Sequence, residues 1–289
     1  MTVDMRSFLQ QIKKTNDLFT VKKSVSAKYE IAAVTEKLDG SKAALFENIK
    51  GSKFKLVSNL VGSRDRFAQA IGSKKSDINQ KIVRAISSAK KPKISTTAKF
   101  FENSSRDISI LPIVTHFQNE SGPFITSSIV YTKNQEKKSQ NSSFHRLMPI
   151  GKRQFVIRMV EGRDLHRSFM FAKNHGDDLP IAITVGVHPA ISIACAFQAK
   201  WGKNELEIAN SLLNNKLTLT KCPSTGLLVP STSEIVMEGK ILRDKTHKEW
   251  MVEMLRTYDM PRPAPVIQIE KLYFRNNPIY HDILSGYTE

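Results

Sequence analysis

A change of hydrophobic period near residue 105 constrains this chain more than any other feature. Before it, apolar residues recur at helical spacing in several stretches; after it, they alternate every second residue between turn-rich breaks. The two periods bury different faces, so the chain must assemble two kinds of layer. "DMRSFLQQIKKTND" sets Met5, Phe8, Leu9 and Ile12 on one helical face behind Asp4, a suitable N-cap. A strand is predicted at "LFTV" and a helix through "SAKYEIAAVTEKLDG", with Ile31, Val34 and Leu38 on one face and Gly40 as its stop. Strands follow at "AALFENI" and "KFKLVSNL", and helices at "SRDRFAQAIG" and "SDINQKIVRAISSAKK", the last with Ile78, Ile82 and Ile86 inward. This alternation predicts an N-terminal α/β domain over residues 1–105, ending near "KKPKISTTAKFFENSS".

From Asp107 onward, strands are expected at "DISILPIVTH", "PFITSSIVYTKN", "SSFHRLM" and "RQFVIRMV". In the last of these, Phe155, Ile157 and Met159 share one face and Val156, Arg158 and Val160 the other. Helices are expected at "RDLHRSFMFAKNHG", "HPAISIACAFQAKWG" and "NELEIANSLLNN", and a strand pair at "KLTLTKC" and "SEIVMEGKIL". Residues 106–289 therefore read as a β-rich core with inserted helices, α+β in class, without internal repeats. The tail from Tyr258 carries four prolines and no clear cap, so this second domain is expected to be incomplete at its C-terminus.

Composition narrows the function classes. With 40% hydrophobic and 25% charged residues the chain reads as soluble and globular. No run approaches the roughly 20 apolar residues a membrane span needs, and the N-terminus lacks the apolar segment of a signal peptide. A cytoplasmic location away from membranes is expected. Cys195 and Cys222 form no CxxC or zinc-finger pattern. The net charge of +17 suits an anionic partner. Its lysines are scattered, however, with short concentrations at 13–14, 74–75, 90–93 and 137–138, and there is no nucleic-acid motif or basic arm. A solvated lysine-rich surface is the first reading, an anionic substrate the second, and nucleic acid is disfavoured.

The stretch "NSSFHRLM", residues 141–148, follows the polar run "KNQEKKSQ" and alone reads as a surface hairpin. Its N-x-S sequon has no use in a cytoplasmic chain. In company it gains meaning. "LPIVTHFQNESGPFIT", "NSSFHRLM", "EGRDLHR", "ITVGVHPAISIACA", "NELEIANSLL" and "LLVPSTSEIVMEGKIL" together resemble, in order, the UbiD-type decarboxylases, which use prenylated FMN. The opening "MRSFLQQIKKTND…KYEIAAVTEKLDG…NLVGSRDRFAQAIG" is similar to the N-terminal domain of the archaeal branch, so the resemblance covers essentially the whole chain.

The resemblance implies a flavin-reductase-like split β-barrel for residues 106–289. It also implies loss of CO2 from an α,β-unsaturated or aromatic acid with no net redox change, the cofactor supplying the electron sink and a protein acid the proton. Within the archaeal branch the implied substrate is trans-anhydromevalonate 5-phosphate, on a route to isoprenoids; polyprenyl-hydroxybenzoate or another aromatic acid is the alternative. A catalytically silent basic binding or assembly subunit is the reading from a different class. Family members continue into a further domain, which would bring homo-oligomer contacts, and a flavin prenyltransferase would supply the cofactor.

The family pattern N-x-S-x-x-R matches Asn141, Ser143 and Arg146. By resemblance Asn141 is a metal ligand, Ser143 and the backbone through His145 and Arg146 touch the flavin, and Arg146 faces the reacting carboxylate. An amide oxygen suits a hard cation, and a guanidinium can grip a carboxylate with two bonds. In an ideal strand Asn141 and Ser143 share a face that Arg146 does not, so a bulge or bend must intervene. Glu205 matches the acidic metal ligand; otherwise it is an ordinary first-turn glutamate. Manganese follows from the family, while magnesium and potassium also suit oxygen donors.

The family's third ligand, a histidine, aligns with Asp164, and His166 lies two residues on. About 200° of helical rotation separates them, so both cannot face one site. Asp164 as a helix cap and His166 as a surface residue are the bland alternatives. Arg163 is a candidate for the cofactor phosphate. Glu253 aligns with a family acid and is expected to transfer the proton. The family's other acid falls on Lys248; Glu249 would replace it only if the loop shifts. Glu234 and Glu238 read as structural and His188 as a turn residue.

Overall fold

The computed structural model describes residues 3–197 and 199–289. In the first part of the chain, helix α1 (Met5–Lys14) leads to strand β1 (Leu18–Val21), helix α2 (Glu30–Lys37), strands β2 (Ala43–Phe46) and β3 (Lys55–Ser58), and helices α3 (Arg64–Ala70) and α4 (Ile78–Ser87). Two short strands follow, β4 (Lys93–Ser95) and β5 (Asn103–Ser105). Asp4 caps α1 as expected: its carboxylate accepts the Ser7 N–H at 2.8 Å while Ser7 Oγ accepts the Asp4 N–H at 3.1 Å. Helix α2 starts later than expected because Tyr29 sits at φ +69°, outside the helical region. On α4, Ile78 and Ala85 are buried but Ile86 is 40% exposed. Seven residues bring a side chain within about 20° of the starting face and eight overshoot by about 80°, which displaces Ile86 from the expected stripe.

The rest of the chain forms strands β6 (Ile129–Asn134), β7 (Ser139–Phe144), β8 (Leu147–Pro149) and β9 (Gln154–Ile157), then helix α5 (Asp164–Asn174) and strand β10 (Leu179–Val185). Helices α6 (Pro189–Ala196) and α7 (Glu205–Leu212) precede strands β11 (Thr218–Lys221), β12 (Leu228–Pro230), β13 (Ile235–Glu249), β14 (Arg262–Phe274) and β15 (Ile279–Asp282). Residue 198, inside the expected "HPAISIACAFQAKWG" helix, lies outside the described residues; α6 itself ends at Ala196. The expected "DISILPIVTH" strand is instead a 3-10 turn at Ile108–Ile110 and two isolated bridges, Val114 to Phe124 and Thr115 to Lys28. Asp107 caps that turn through the Ser109 N–H at 2.9 Å, and Pro112 removes a ladder donor. "KLTLTKC" and "SEIVMEGKIL" do not pair: β11 lies between β12 and β4, and β13 between β10 and β14.

An eight-stranded antiparallel sheet dominates, in the order β7-β6-β10-β13-β14-β9-β8, with β5 also paired to β14. Its outermost strands, β7 and β8, are consecutive in the chain and separated only by His145 and Arg146. The sheet must therefore curl enough to bring the linked ends of β7 and β8 near each other, while the two strands stay unpaired, as in a split, open barrel. Prolines 263 and 265 sit within β14, yet pairing with β9 begins only at Val266. Alternate residues donate to the same side, so both prolines face an unpaired edge. One face of β10 packs Ile181 and Ile183 into a core shared with Phe155, Ile267 and Phe169, and the other packs Ala182 against Tyr131 and helices α1, α6 and α7. Strand β15 runs parallel to β3 and completes the four-stranded sheet β1-β2-β3-β15, so the chain's end is woven into its beginning.

Candidate active site

Strand β7 runs antiparallel to β6, with Asn141 opposite Thr132 and Phe144 opposite Ile129. The His145 N–H still reaches the Ser128 carbonyl at 3.2 Å; two residues later Leu147 exchanges backbone bonds with Ile125 at 2.8 and 3.0 Å. The chain thus bends at His145 and Arg146, where the sequence required a break in the alternation. Asn141 and Ser143 face a cavity of about 280 Å³ whose lining includes His145, Arg163, Asp164, Cys195 and Glu205.

Hydrogen bonds organise that face. Asn141 Nδ2 lies 3.1 Å from Ser143 Oγ, Ser143 Oγ lies 2.9 Å from His145 Nε2, and His145 Nδ1 lies 2.9 Å from the Arg158 carbonyl oxygen. Burial lowers the His145 pKa to about 4, so the ring is neutral near pH 7. Glu205 opens helix α7 behind Asn204, whose side chain accepts the Leu206 N–H at 3.0 Å. Its carboxylate accepts the Ser142 N–H at 2.8 Å and is 4% exposed. Burial raises the Glu205 pKa to about 7, and Asp164 adds repulsion; among the described residues no lysine or arginine balances it. An amide, a buried carboxylate and a second acid thus share one cavity with Arg163. That donor set fits a hard cation. Among the described residues no three His, Cys, Asp or Glu side chains cluster as a metal site, so any such site here depends on the Asn141 amide.

Asp164 begins α5, and burial raises its pKa against the pull of Arg167 and Arg163. His166 is turned elsewhere: its Nδ1 accepts the Gly162 N–H at 3.2 Å. Arg163 is the extended N-cap of α5 and makes no side-chain cap bond. An uncapped helix start beside an arginine fits a phosphate group.

The ionic part of the site lies at the same bend. Arg146 donates from Nε and Nη2 to the two oxygens of Glu249 at 3.0 and 2.9 Å, and from Nη2 to Asp259 at 2.9 Å. Burial opposes the charge on Arg146, but Glu249 and Asp259 outweigh it and raise the pKa. Burial likewise opposes ionisation of Asp259, yet Arg146 and Arg158 bring its pKa below the usual value. The strand register slips between Ile241 and Thr246, after which Lys248 is exposed and Glu249 is 1% exposed. Five residues of β13 span two of β14 there, a slip of three, and an odd slip exchanges the faces of a strand, which is the kind of shift that Glu249 needed.

Glu253, expected to transfer the proton, is exposed in a turn where its N–H meets the Thr257 carbonyl at 2.8 Å. Asp259 returns to the site because its N–H bonds the Met251 carbonyl at 3.0 Å. The structure therefore gathers Arg146 with Glu249 and Asp259, and leaves Glu253 and Lys248 outside. Sequence reasoning missed Asp259; the one available signal was that the five N–H donors of an arginine can hold more than one carboxylate. Glu234 and Glu238 are structural, as expected: Glu234 pairs with Arg6 and Arg275, and Glu238 caps the backbone N–H groups of Ser224 and Thr225. His188 caps α6 through the Ala190 N–H at 3.2 Å. A wider groove of about 970 Å³ beside the end of α5 holds none of the expected site residues, and Lys240 and Arg243 there are already paired at 2.9 Å with Asp178 and Asp244.

A curled antiparallel sheet thus carries a cavity with cation-suited donors, and an arginine–carboxylate cluster at the same bend. Residues 88–288 match the UbiD family model described as 3-octaprenyl-4-hydroxybenzoate carboxy-lyase Rift-related domain, and residues 9–86 match the N-terminal domain of the same enzyme; the chain belongs to the UbiD family. The anhydromevalonate phosphate decarboxylase of Methanosarcina mazei is 34% identical over 98% of this chain and 66% of its own length. That of Methanothermobacter thermautotrophicus is 30% identical with the same coverage. The chain thus spans 66% of the length of these relatives. An evolved dimeric form of the UbiD-class enzyme HmfF from Pelotomaculum thermopropionicum, in complex with prFMN, superposes with a TM-score of 0.97 at 32% identity, covering 99% of this chain and 69% of that one. The vanillic acid decarboxylase of Sedimentibacter hydroxybenzoicus shares the fold, with a TM-score of 0.93 at 24% identity over 99% of this chain and 65% of that one.

Proposed function

We propose that this protein is a prenylated-FMN-dependent, non-oxidative decarboxylase of trans-anhydromevalonate 5-phosphate in isoprenoid synthesis, with manganese as its cation. The observation that carries the reading is the pairing of two unlike features at one bend: an unbalanced buried Glu205 facing Asn141, and a preorganised Arg146 held by Glu249 and Asp259. The curated archaeal relatives support the substrate, and the net charge of +17 suits a phosphorylated acid.

In this reading bound prenylated FMN supplies the electron sink for the bond to CO2. Asn141 and Glu205 hold the cation, with Asp164 on the same cavity wall. Ser143 and the backbone at His145 and Arg146 line the flavin, and Arg163 with the start of α5 receives its phosphate. Arg146 offers a planar fork to the substrate carboxylate. Glu249 replaces Glu253 as the acid: released when the substrate carboxylate takes its place on Arg146, it can take up a proton from solvent and deliver it to the carbon left by CO2, while Asp259 keeps Arg146 oriented.

A cytoplasmic location, a flavin prenyltransferase as cofactor supplier and a homo-oligomeric state belong to the same proposal. So does a division in which residues 1–105 support and residues 106–289 carry the site. The test is production of the protein alongside a flavin prenyltransferase, followed by measurement of bound flavin, bound metal and CO2 released from the phosphorylated acid. Flavin, manganese and CO2 release together are the expected outcome. A protein that retains neither flavin nor metal would sink the proposal.

A further inference from the structure

The row Asn141–Ser143–His145 ends on a group whose hydrogen-bonding role is fixed. The Arg158 carbonyl oxygen only accepts, so the 2.9 Å contact puts the ring proton of His145 on Nδ1. A neutral ring then presents Nε2 as a bare acceptor, and the Ser143 hydroxyl 2.9 Å away donates to it. Having given up its proton there, Ser143 Oγ can only accept from Asn141, so the amide atom 3.1 Å from it is Nδ2. Asn141 Oδ1 is the acceptor left for a ligand. A serine without that histidine would donate to Oδ1 as readily as it accepts from Nδ2, and the two amide orientations have the same shape. A serine hydrogen-bonded to a histidine also suggests an activated nucleophile. Here the serine oxygen already accepts an N–H from Asn141, and a backbone carbonyl, not a carboxylate, orients the ring.

We infer that His145 is a positioning residue which, through the Ser143 hydroxyl, holds the Asn141 amide with Oδ1 toward the cation. This rests on the proposed cation site of Asn141 and Glu205. Reversing the amide would withdraw a ligand and turn an NH₂ toward a positive charge. Partners of this kind, one step removed from the metal, change affinity by about 10- to 100-fold.

The test is Mn²⁺ binding to the purified protein, read from the electron paramagnetic resonance of the free ion. Glutamine can place an oxygen where Nε2 sits, whereas asparagine reaches only the Nδ1 position. His145→Gln is expected to bind within about 3-fold of the parent protein and His145→Asn at least about 10-fold more weakly. In His145→Asn the freed hydroxyl turns on Oδ1, so adding Ser143→Ala should recover about 3-fold or more. A purely structural histidine would not yield that recovery. Parent-like binding by His145→Asn, or a double variant no tighter than the single, overturns the inference. Should His145→Asn fail to fold, Ser143→Ala alone must bind about 3-fold more weakly, and unchanged affinity overturns the inference instead. Absence of Mn²⁺ binding in the parent protein would strike the cation site itself, a separate outcome.

Discussion

Two parts of the site, drawn from six consecutive residues, are built on different physics. Asn141, Ser143 and His145 are joined by neutral hydrogen bonds and face a cavity that holds two acids, Asp164 and Glu205. Arg146 is ion-paired on both sides, to Glu249 and Asp259. The first arrangement depends on which atom of an amide points where; the second depends on charge balance. A cation site needs an acceptor aimed and left free, whereas a carboxylate site needs a positive group held still until substrate arrives.

The largest expected effect comes from breaking the ionic part. Arg146→Ala leaves Glu249, 1% exposed, without its guanidinium. Removal of one partner from a buried pair should cost about 3 kcal/mol, visible in denaturant melts. CO2 release should fall at least about 1,000-fold, as expected when a group preorganised for the reacting charge is lost. Glu249→Gln keeps the shape and the Asp259 pair, and is expected to lower the rate about 100-fold, the lower range for a lost proton-transfer group. Glu253→Gln should change it less than about 3-fold, because a surface substitution touches neither part. Steady-state CO2 assays of the pair decide which glutamate belongs to the site.

Acid should separate the two parts without a mutation. The His145 pKa is depressed to about 4 by burial, so an unfolded chain takes up a proton near pH 6.5 that the native ring refuses. Its contribution to stability is complete above pH 6.5 and is lost as the pH falls toward 4. The Asp259 pKa, lowered by Arg146 and Arg158 against burial, contributes stability above its ordinary value of 3.8, which is lost only below that pH. The neutral row should therefore fail first on acidification. Side-chain NMR titration checks this, with the imidazole of His145 changing state near pH 4 and the Asp259 carboxyl only at still lower pH.

Local elements were legible in the sequence where local physics decides them. The Asp4 N-cap, the "LFTV" strand and the buried face of α1 each depend on residues within one or two turns. That Asn141, Ser143 and Glu205 would lie near one another was expected through resemblance, because the motifs keep their order and spacing, and the three line one cavity, with Arg146 outside its lining. The choice between Glu249 and Glu253 was not, because it depends on the slipped register of β13 against β14, a property of two strands together. Asp259 was hidden because a turn at 253–257 returns it to Arg146, more than 100 residues away in the chain. Strand β15 was hidden for a related reason: its partner β3 lies more than 200 residues earlier. Asp164 and His166 were not separable in the sequence; in the structure Asp164 lines the cavity, whereas His166 accepts the Gly162 N–H.

The division of labour at the bend is tested most directly by titrating three variants with Mn²⁺ and following the free-ion resonance. Asn141→Ala and Glu205→Gln should each lose the tight site, and Arg146→Gln should keep it within about 3-fold of the parent protein, since the arginine lies outside the cavity lining. Tight Mn²⁺ binding that survives Asn141→Ala and Glu205→Gln, or disappears in a folded Arg146→Gln, would contradict the account.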